Sequence, residues 1–188
     1  RDPDQGGLAY WTTLLAANQM TRAQVVESFL WSDEFGGLIA PLVRLYFAYF
    51  LRVPDYAGLL YWIGNRQTGM SLAEVSENFS LSREFIDTYG TVTDDAFIEL
   101  IYTNVLGRSS DPGGKAYWLA KIASGMTRGE VMVGFSESTE YTALMANDVL
   151  AVMMYVGLLR RSPEPLGFTY WLTFLDQGNP PLAMIEGF

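Results

Sequence analysis

Apolar side chains recur at three- and four-residue intervals along nearly the whole chain, and polar breaks separate them. Leu8, Trp11 and Leu15 make one such stripe, and Phe168, Trp171 and Leu175 another. That spacing puts the apolar groups on one face of a helix. Apolar runs also lead up to Tyr46, Tyr102 and Tyr155, and others end at Phe29, Phe79, Phe135 and Phe188. The breaks between them read as helix starts. "TRAQ" at Thr21, "SLAE" at Ser71 and "TRGE" at Thr127 have Ser or Thr as N-cap and Gln or Glu three residues on, the pattern of a capping box. Asn179 followed by Pro180 is expected to serve the same end. Ser32, Ser82 and Ser138 open further caps with acids in the first turn, and Asp94-Asp95 opens the helix that carries Phe97. The period-2 alternation of a strand is missing, so the predicted fold is all-α.

The pattern repeats itself. "DQGGLAYW" from Asp4 returns as "DYAGLLYW" from Asp55, "DPGGKAYW" from Asp111 and "EPLGFTYW" from Glu164. The Tyr-Trp pairs (Tyr10-Trp11, Tyr61-Trp62, Tyr117-Trp118, Tyr170-Trp171) are therefore 51, 56 and 53 residues apart, the period of a tandem array. An arginine precedes the glycine by six residues in every copy: Arg1 and Gly7, Arg52 and Gly58, Arg108 and Gly114, Arg161 and Gly167. Tyr46, Tyr102 and Tyr155 each stand six residues before that arginine. We expect tandem units of about four short helices, stacked as a helical array: a partial unit over 1–38, units over 39–90 and 91–147, and a partial unit over 148–188. The first unit starts at its arginine and the last stops at Phe188, so a longer parent array is expected.

Composition narrows the classes of function. The chain of 188 residues is 49% hydrophobic and 18% charged, enough apolar material for a substantial core. No apolar run approaches the ~20 residues of a membrane helix, so membrane insertion is not expected. Twelve basic residues against 21 acidic give a net charge of -9, which repels nucleic-acid backbones and anionic lipid. Cysteine and histidine are both absent. Disulfides, thiolate nucleophiles, imidazole ligands and a Ser-His-Asp triad are thereby excluded.

What remains are the repeated residues. The Tyr-Trp pairs suit core packing with the tyrosine half-buried and its hydroxyl at the surface; the functional alternative is a row of rings that stacks on polysaccharide. Arg52 with Asp55, and Arg108 with Asp111, suit an ion pair that fixes the angle between helices. The fixed glycine suits either a positive φ or a close approach. Asp2, Asp4, Asp55 and Asp111 are the weak candidates for calcium, the one cofactor considered, although Thr13 stands where an EF-hand loop would end in an acid. Glu34, Glu84 and Glu140 recur in "S-x-E-F" and its variant "STEY". One active site needs its acids only once, so helix capping explains them better than paired-carboxylate chemistry. The chain is read as non-catalytic.

Taken in order, Tyr, Arg, acid, glycine and Tyr-Trp, then a capping box and "S-x-E-F", resemble the bacterial domain-of-unknown-function family 4214, most fully in the third copy, "IYTNVLGRSSDPGGKAYW", "GMTRGEV" and "SESTEY". The fourth copy departs with Glu164-Pro165-Leu166, and the second has Ala57 where Gly6 and Gly113 stand. The resemblance implies a module of a large secreted or surface-exposed bacterial protein, with a structural or assembly role in a surface layer, filament or adhesin. It implies no catalytic residues. The family is similar, more distantly, to the helical linker domains of phycobilisomes. The expected partners are further copies or neighbouring protein subunits, with polysaccharide binding or a scaffold role inside an intracellular complex as the alternatives.

Overall fold

The structure, a computed structural model, describes residues 4–188. Its regular elements, among the described residues, are all helical. They run α1 (Gln5–Ala16), α2 (Arg22–Leu30), α3 (Gly36–Phe50), α4 (Tyr56–Gln67), α5 (Leu72–Ser80), α6 (Arg83–Tyr89) and α7 (Asp94–Leu106). Then follow α8 (Pro112–Ala123), α9 (Arg128–Ser136), α10 (Thr139–Leu144), α11 (Ala146–Met154) with a π turn at Tyr155–Leu159, α12 (Pro165–Asp176) and α13 (Pro181–Glu186).

Most starts form where the polar breaks predict them. Thr21, Ser71 and Thr127 make both arms of a capping box with Gln24, Glu74 and Glu130. Ser82 and Ser138 cap α6 and α10, each accepting from an amide three residues on, at 3.1 and 3.2 Å. Thr93 caps α7, with Asp94 and Asp95 in its first turn.

Two starts differ. The Ser32 hydroxyl accepts from the Phe35 amide at 3.2 Å, yet only a turn follows because α3 begins at Gly36 directly behind it. Asn179 does not cap α13. Pro180 takes the cap position and Pro181 the first helical one, and the Asn179 amide instead donates at 2.8 Å to the Phe174 carbonyl at the end of α12. Proline needs no N–H partner there, while the free carbonyls of the preceding helix do need donors. The expected unit edges at 38/39 and 147/148 lie inside α3 and α11, which begin at Gly36 and Ala146.

The centre of the molecule is α3. Leu42, Val43, Leu45, Ala48 and Tyr49 are completely covered and point to different sides of it, as a helix apolar on every side but that of Arg44 requires. Helices α4, α5, α7, α9 and α11 surround it. A linear stack would bring each unit against its neighbours alone. Here α2 of the first unit packs on α13 of the fourth, and α3 of the second on α11 of the fourth. The Ser162 hydroxyl also donates to the Pro54 carbonyl at 2.7 Å. A core helix that must be enclosed on every side draws non-consecutive units together.

The tightest seam joins α5 to α9. A Cβ on Gly129 would collide with the Ala73 carbonyl oxygen and stand 2.6 and 3.0 Å from the Glu77 N and Cα. The same approach lets the Glu77 carboxylate accept from the Gly129 amide at 2.6 Å. Beside it, the buried Ser76 and Tyr49 hydroxyls share a hydrogen bond of 2.9 Å. The obstructing atoms at Gly129 are backbone and cannot rotate away. Gly129→Ala is therefore expected to cost about 2–3 kcal/mol and to lower the melting temperature by roughly 5–10 °C. Thermal unfolding followed by circular dichroism measures this, and an unchanged melting point would mean the seam is looser than described.

Candidate functional site

The repeated residues converge on one arrangement, built separately in the second, third and fourth copies. In the second, Asp55 caps α4 and its carboxylate accepts from the Gly58 amide at 2.7 Å. The Tyr46 hydroxyl from α3 lies against that first turn, and a Cβ on Gly58 would stand 2.7 Å from it. The glycine thus serves a close approach, with no left-handed φ. The Trp62 indole N–H interacts with the Tyr46 hydroxyl. Phe79, from α5, packs edge-on against both rings, with centroids 4.9 Å from Tyr46 and 5.3 Å from Trp62. The Arg52 guanidinium lies over the Tyr46 ring at 5.3 Å. It also grips Glu84 with two hydrogen bonds of 2.6 and 2.8 Å.

The third copy rebuilds the clasp from new residues. Asp111 accepts from the Gly114 amide at 2.8 Å, and the Tyr102 hydroxyl occupies the space a Cβ on Gly114 would need. Phe135 lies 5.1 Å from Tyr102 and 4.9 Å from Trp118. Arg108 covers Tyr102 at 5.6 Å and reaches Glu140 at 3.8 Å. In the fourth, Tyr155 abuts Gly167, and Phe188 lies 5.2 Å from Tyr155 and 5.0 Å from Trp171. Arg161 covers Tyr155 at 4.9 Å and pairs closely with Glu164. Engaged there, Glu164 makes no side-chain cap on α12.

Sequence reasoning paired each arginine with the acid three residues on. The structure gives Arg52 and Arg108 a different main partner, the glutamate of the "S-x-E-F" or "STEY" segment, with Asp55 only 3.8 Å from Arg52 as a secondary contact. The acids are occupied as helix caps instead. The recurrence of Glu84 and Glu140 at a fixed offset was the available signal, and only the path of the chain brings each beside its arginine. The tyrosines of the Tyr-Trp pairs are also less covered than expected: Tyr10, Tyr61, Tyr117 and Tyr170 are 54–62% exposed. Each stands edge-on to its tryptophan, at 4.8–5.2 Å. The tryptophans are partly buried, and Trp62, Trp118 and Trp171 pack on the core.

Among the calcium candidates, Asp4, Asp55 and Asp111 each accept from an amide of the helix they cap, and Asp2 lies outside the described residues. Among the described residues no three carboxylates converge as a metal would need. Several other acids have a cationic partner: Asp94 with Arg128 at 2.7 Å, Asp95 with Lys115 at 2.9 Å, and Glu137 with Arg44 through the Arg44 Nε at 2.9 Å and a second, shorter contact. Glu99 receives both the amide and the hydroxyl of Ser110, which hold its carboxyl below the usual carboxylate range. Arg161 does the same for Glu164.

Burial leaves its mark on the clasp tyrosines. The Tyr46 hydroxyl is pushed up from 10.0 to about 12, chiefly by loss of water and secondarily by Asp55. Burial also raises Tyr102 and Tyr155. The folded state therefore holds these protons more tightly than the unfolded chain. The tyrosines' contribution to stability is complete below about pH 10 and falls as the pH climbs toward 12. Urea midpoints should accordingly be lower at about pH 11 than at about pH 8; equal midpoints would contradict the buried hydroxyls.

The clasp also predicts an order among substitutions. Tyr46→Phe empties the space that the hydroxyl fills over Gly58 and should cost about 1 kcal/mol. Gly58→Ala drives a methyl into the hydroxyl and should cost about 1–3 kcal/mol. A double-mutant cycle on Arg52 and Glu84, which are 38% and 42% exposed, should return under ~1 kcal/mol. Denaturant unfolding of the six proteins, the unsubstituted chain included, measures all three, and a cycle energy above that of Gly58→Ala would invert the ranking.

A family model described as "Domain of unknown function (DUF4214)" matches residues 1–39 and 76–145, more than half of the chain. No curated protein and no solved structure matches it, so the likeness to phycobilisome linkers has no match behind it.

Proposed function

Since the chain belongs to the DUF4214 family, whose function is unknown, we propose from its own physics that it is a non-catalytic structural module of a larger secreted or cell-surface bacterial protein. One observation carries this reading. The residues repeated between units are spent on one another: tyrosine on glycine and tryptophan, phenylalanine between the two rings, arginine on glutamate, aspartate on a helix start. A sequence that repeats its most distinctive side chains and consumes them internally is selecting for shape. The acidic charge of -9 and the absence of cysteine accord with a repetitive surface protein that must remain dispersed. Further copies or neighbouring subunits are the partners this role calls for.

The exposed tyrosines favour a second reading. Tyr10, Tyr61, Tyr117 and Tyr170 are the repeated aromatics that the clasps leave facing outward, and rings displayed this way stack on sugar rings. In this alternative the module adheres to polysaccharide.

Brief protease treatment of intact cells separates these from an internal role. The structural and adhesive readings both expect peptides of this chain to be released while a cytosolic marker stays whole. Recovery of the protein only after lysis would overturn both. Replacing the four tyrosines together by serine then divides them. The structural reading expects unchanged folding and unchanged assembly of the parent, whereas the adhesive reading expects loss of retention on the cell-wall polysaccharide.

A further inference from the structure

The first copy has a socket that nothing among the described residues fills. It keeps the glycine, the tryptophan and the phenylalanine of the clasp: Asp4 accepts from Gly7 at 2.7 Å, and Phe29 lies 5.2 Å from Trp11. What it lacks is the helix that packs on these groups elsewhere. Helix α4 packs on α3, α8 on α7 and α12 on α11, and each of those partner helices leads to the tyrosine that covers its own pair. Two side chains record the difference. Phe29 is 51% exposed where Phe79 and Phe135 are 2% and 5%, and Leu8 is 51% exposed where Leu59, at the same place in the second copy, is fully covered.

The glycine gives an independent sign. A Cβ on Gly58, Gly114 or Gly167 meets a tyrosine hydroxyl, which is why those positions admit no side chain. A Cβ on Gly7 would meet only the side chain of Asp4. Gly7 leaves room for a hydroxyl group that the described residues do not supply.

We propose that this face is the docking site of one further helix of the α3, α7 and α11 kind, apolar and bearing a tyrosine six residues before the arginine position, and that it comes from polypeptide outside residues 1–188. A second copy of this chain is a poor source. Tyr46, Tyr102 and Tyr155 are only 3–5% exposed, and each would have to leave its own clasp to serve another molecule. In the occupied copies the tyrosine helix runs straight into the arginine, so the incoming helix is joined in the same way, its tyrosine six residues ahead of Arg1. Its ring lies against Phe29 and Trp11, its hydroxyl over Gly7, and Leu8 is covered with them. The site thereby sets the direction and register in which a preceding unit attaches.

The test supplies such a helix. The stretch 93–107, which ends where Arg108 follows it and includes Tyr102, is joined directly ahead of Arg1, so that its tyrosine falls six residues before Arg1. Trp11 is read as the difference in acrylamide quenching between each protein and its Trp11→Phe version. The extension is expected to become helical, to shield Trp11 from acrylamide and to raise the melting temperature by roughly 5 °C. The same extension with alanine for its tyrosine should shield far less. Gly7→Ala should abolish the shielding in the extended protein while leaving the melting temperature of the original chain unchanged or slightly raised. As a second measurement, free peptide 93–108 should shield Trp11 of the original chain, and its alanine version should not. An extension that stays unstructured, leaves Trp11 open, or protects equally with alanine in place of tyrosine overturns the proposal.

Discussion

The structure depends on one contact, a buried tyrosine hydroxyl resting on the first turn of a helix where a glycine has removed the Cβ. That contact sets how far the tyrosine helix and the following helix can approach, and so where the indole of the Tyr-Trp pair must lie. With the tryptophan placed, the phenylalanine of the next helix has a slot between two rings. The arginine that opens the link between the helices then lies over the tyrosine face, where it meets a glutamate from the fourth helix. Four helices are oriented by a constraint that begins with the absence of a methyl group.

Aromatic packing carries most of the energy of this clasp, and charge refines it. Edge-to-face rings at about 5 Å contribute roughly 0.5–1.5 kcal/mol per pair beyond the area they bury, whereas a solvent-facing ion pair such as Arg52 with Glu84 contributes less than ~1 kcal/mol. The fourth copy illustrates the ranking. Its arginine turns to Glu164 and its helix loses the side-chain cap, yet Tyr155, Trp171 and Phe188 still assemble. Electrostatic partners change between copies while the edge-on contact of phenylalanine with tyrosine stays.

The same clasp explains why the functional reading is architectural. A catalytic or metal site gathers reactive groups in one place and leaves some of them free to act. Here the distinctive groups recur at every unit and are used in holding helices together. Among the described repeated residues, the four outward tyrosines and the open socket of the first copy remain for another molecule.

The local structure was legible in the sequence because its causes are local. The capping boxes at Thr21, Ser71 and Thr127, the aspartate caps and the helical apolar period each depend on residues three or four apart, so the chain determines them wherever it goes. The repeated order of tyrosine, arginine, acid, glycine and Tyr-Trp identified the clasp's members for the same reason. What the tertiary structure decided was which members meet. Arg52 chooses Glu84 over Asp55 because α6 returns past the start of α4, across 32 residues of chain. Asn179 is drawn to the end of α12 rather than the start of α13. Helix α2 pairs with α13, and α3 with α11, because α3 is apolar apart from Arg44 and has to be enclosed by whatever helices the chain can bring around it. Contacts between distant residues depend on that enclosure, and no spacing along the sequence encodes it.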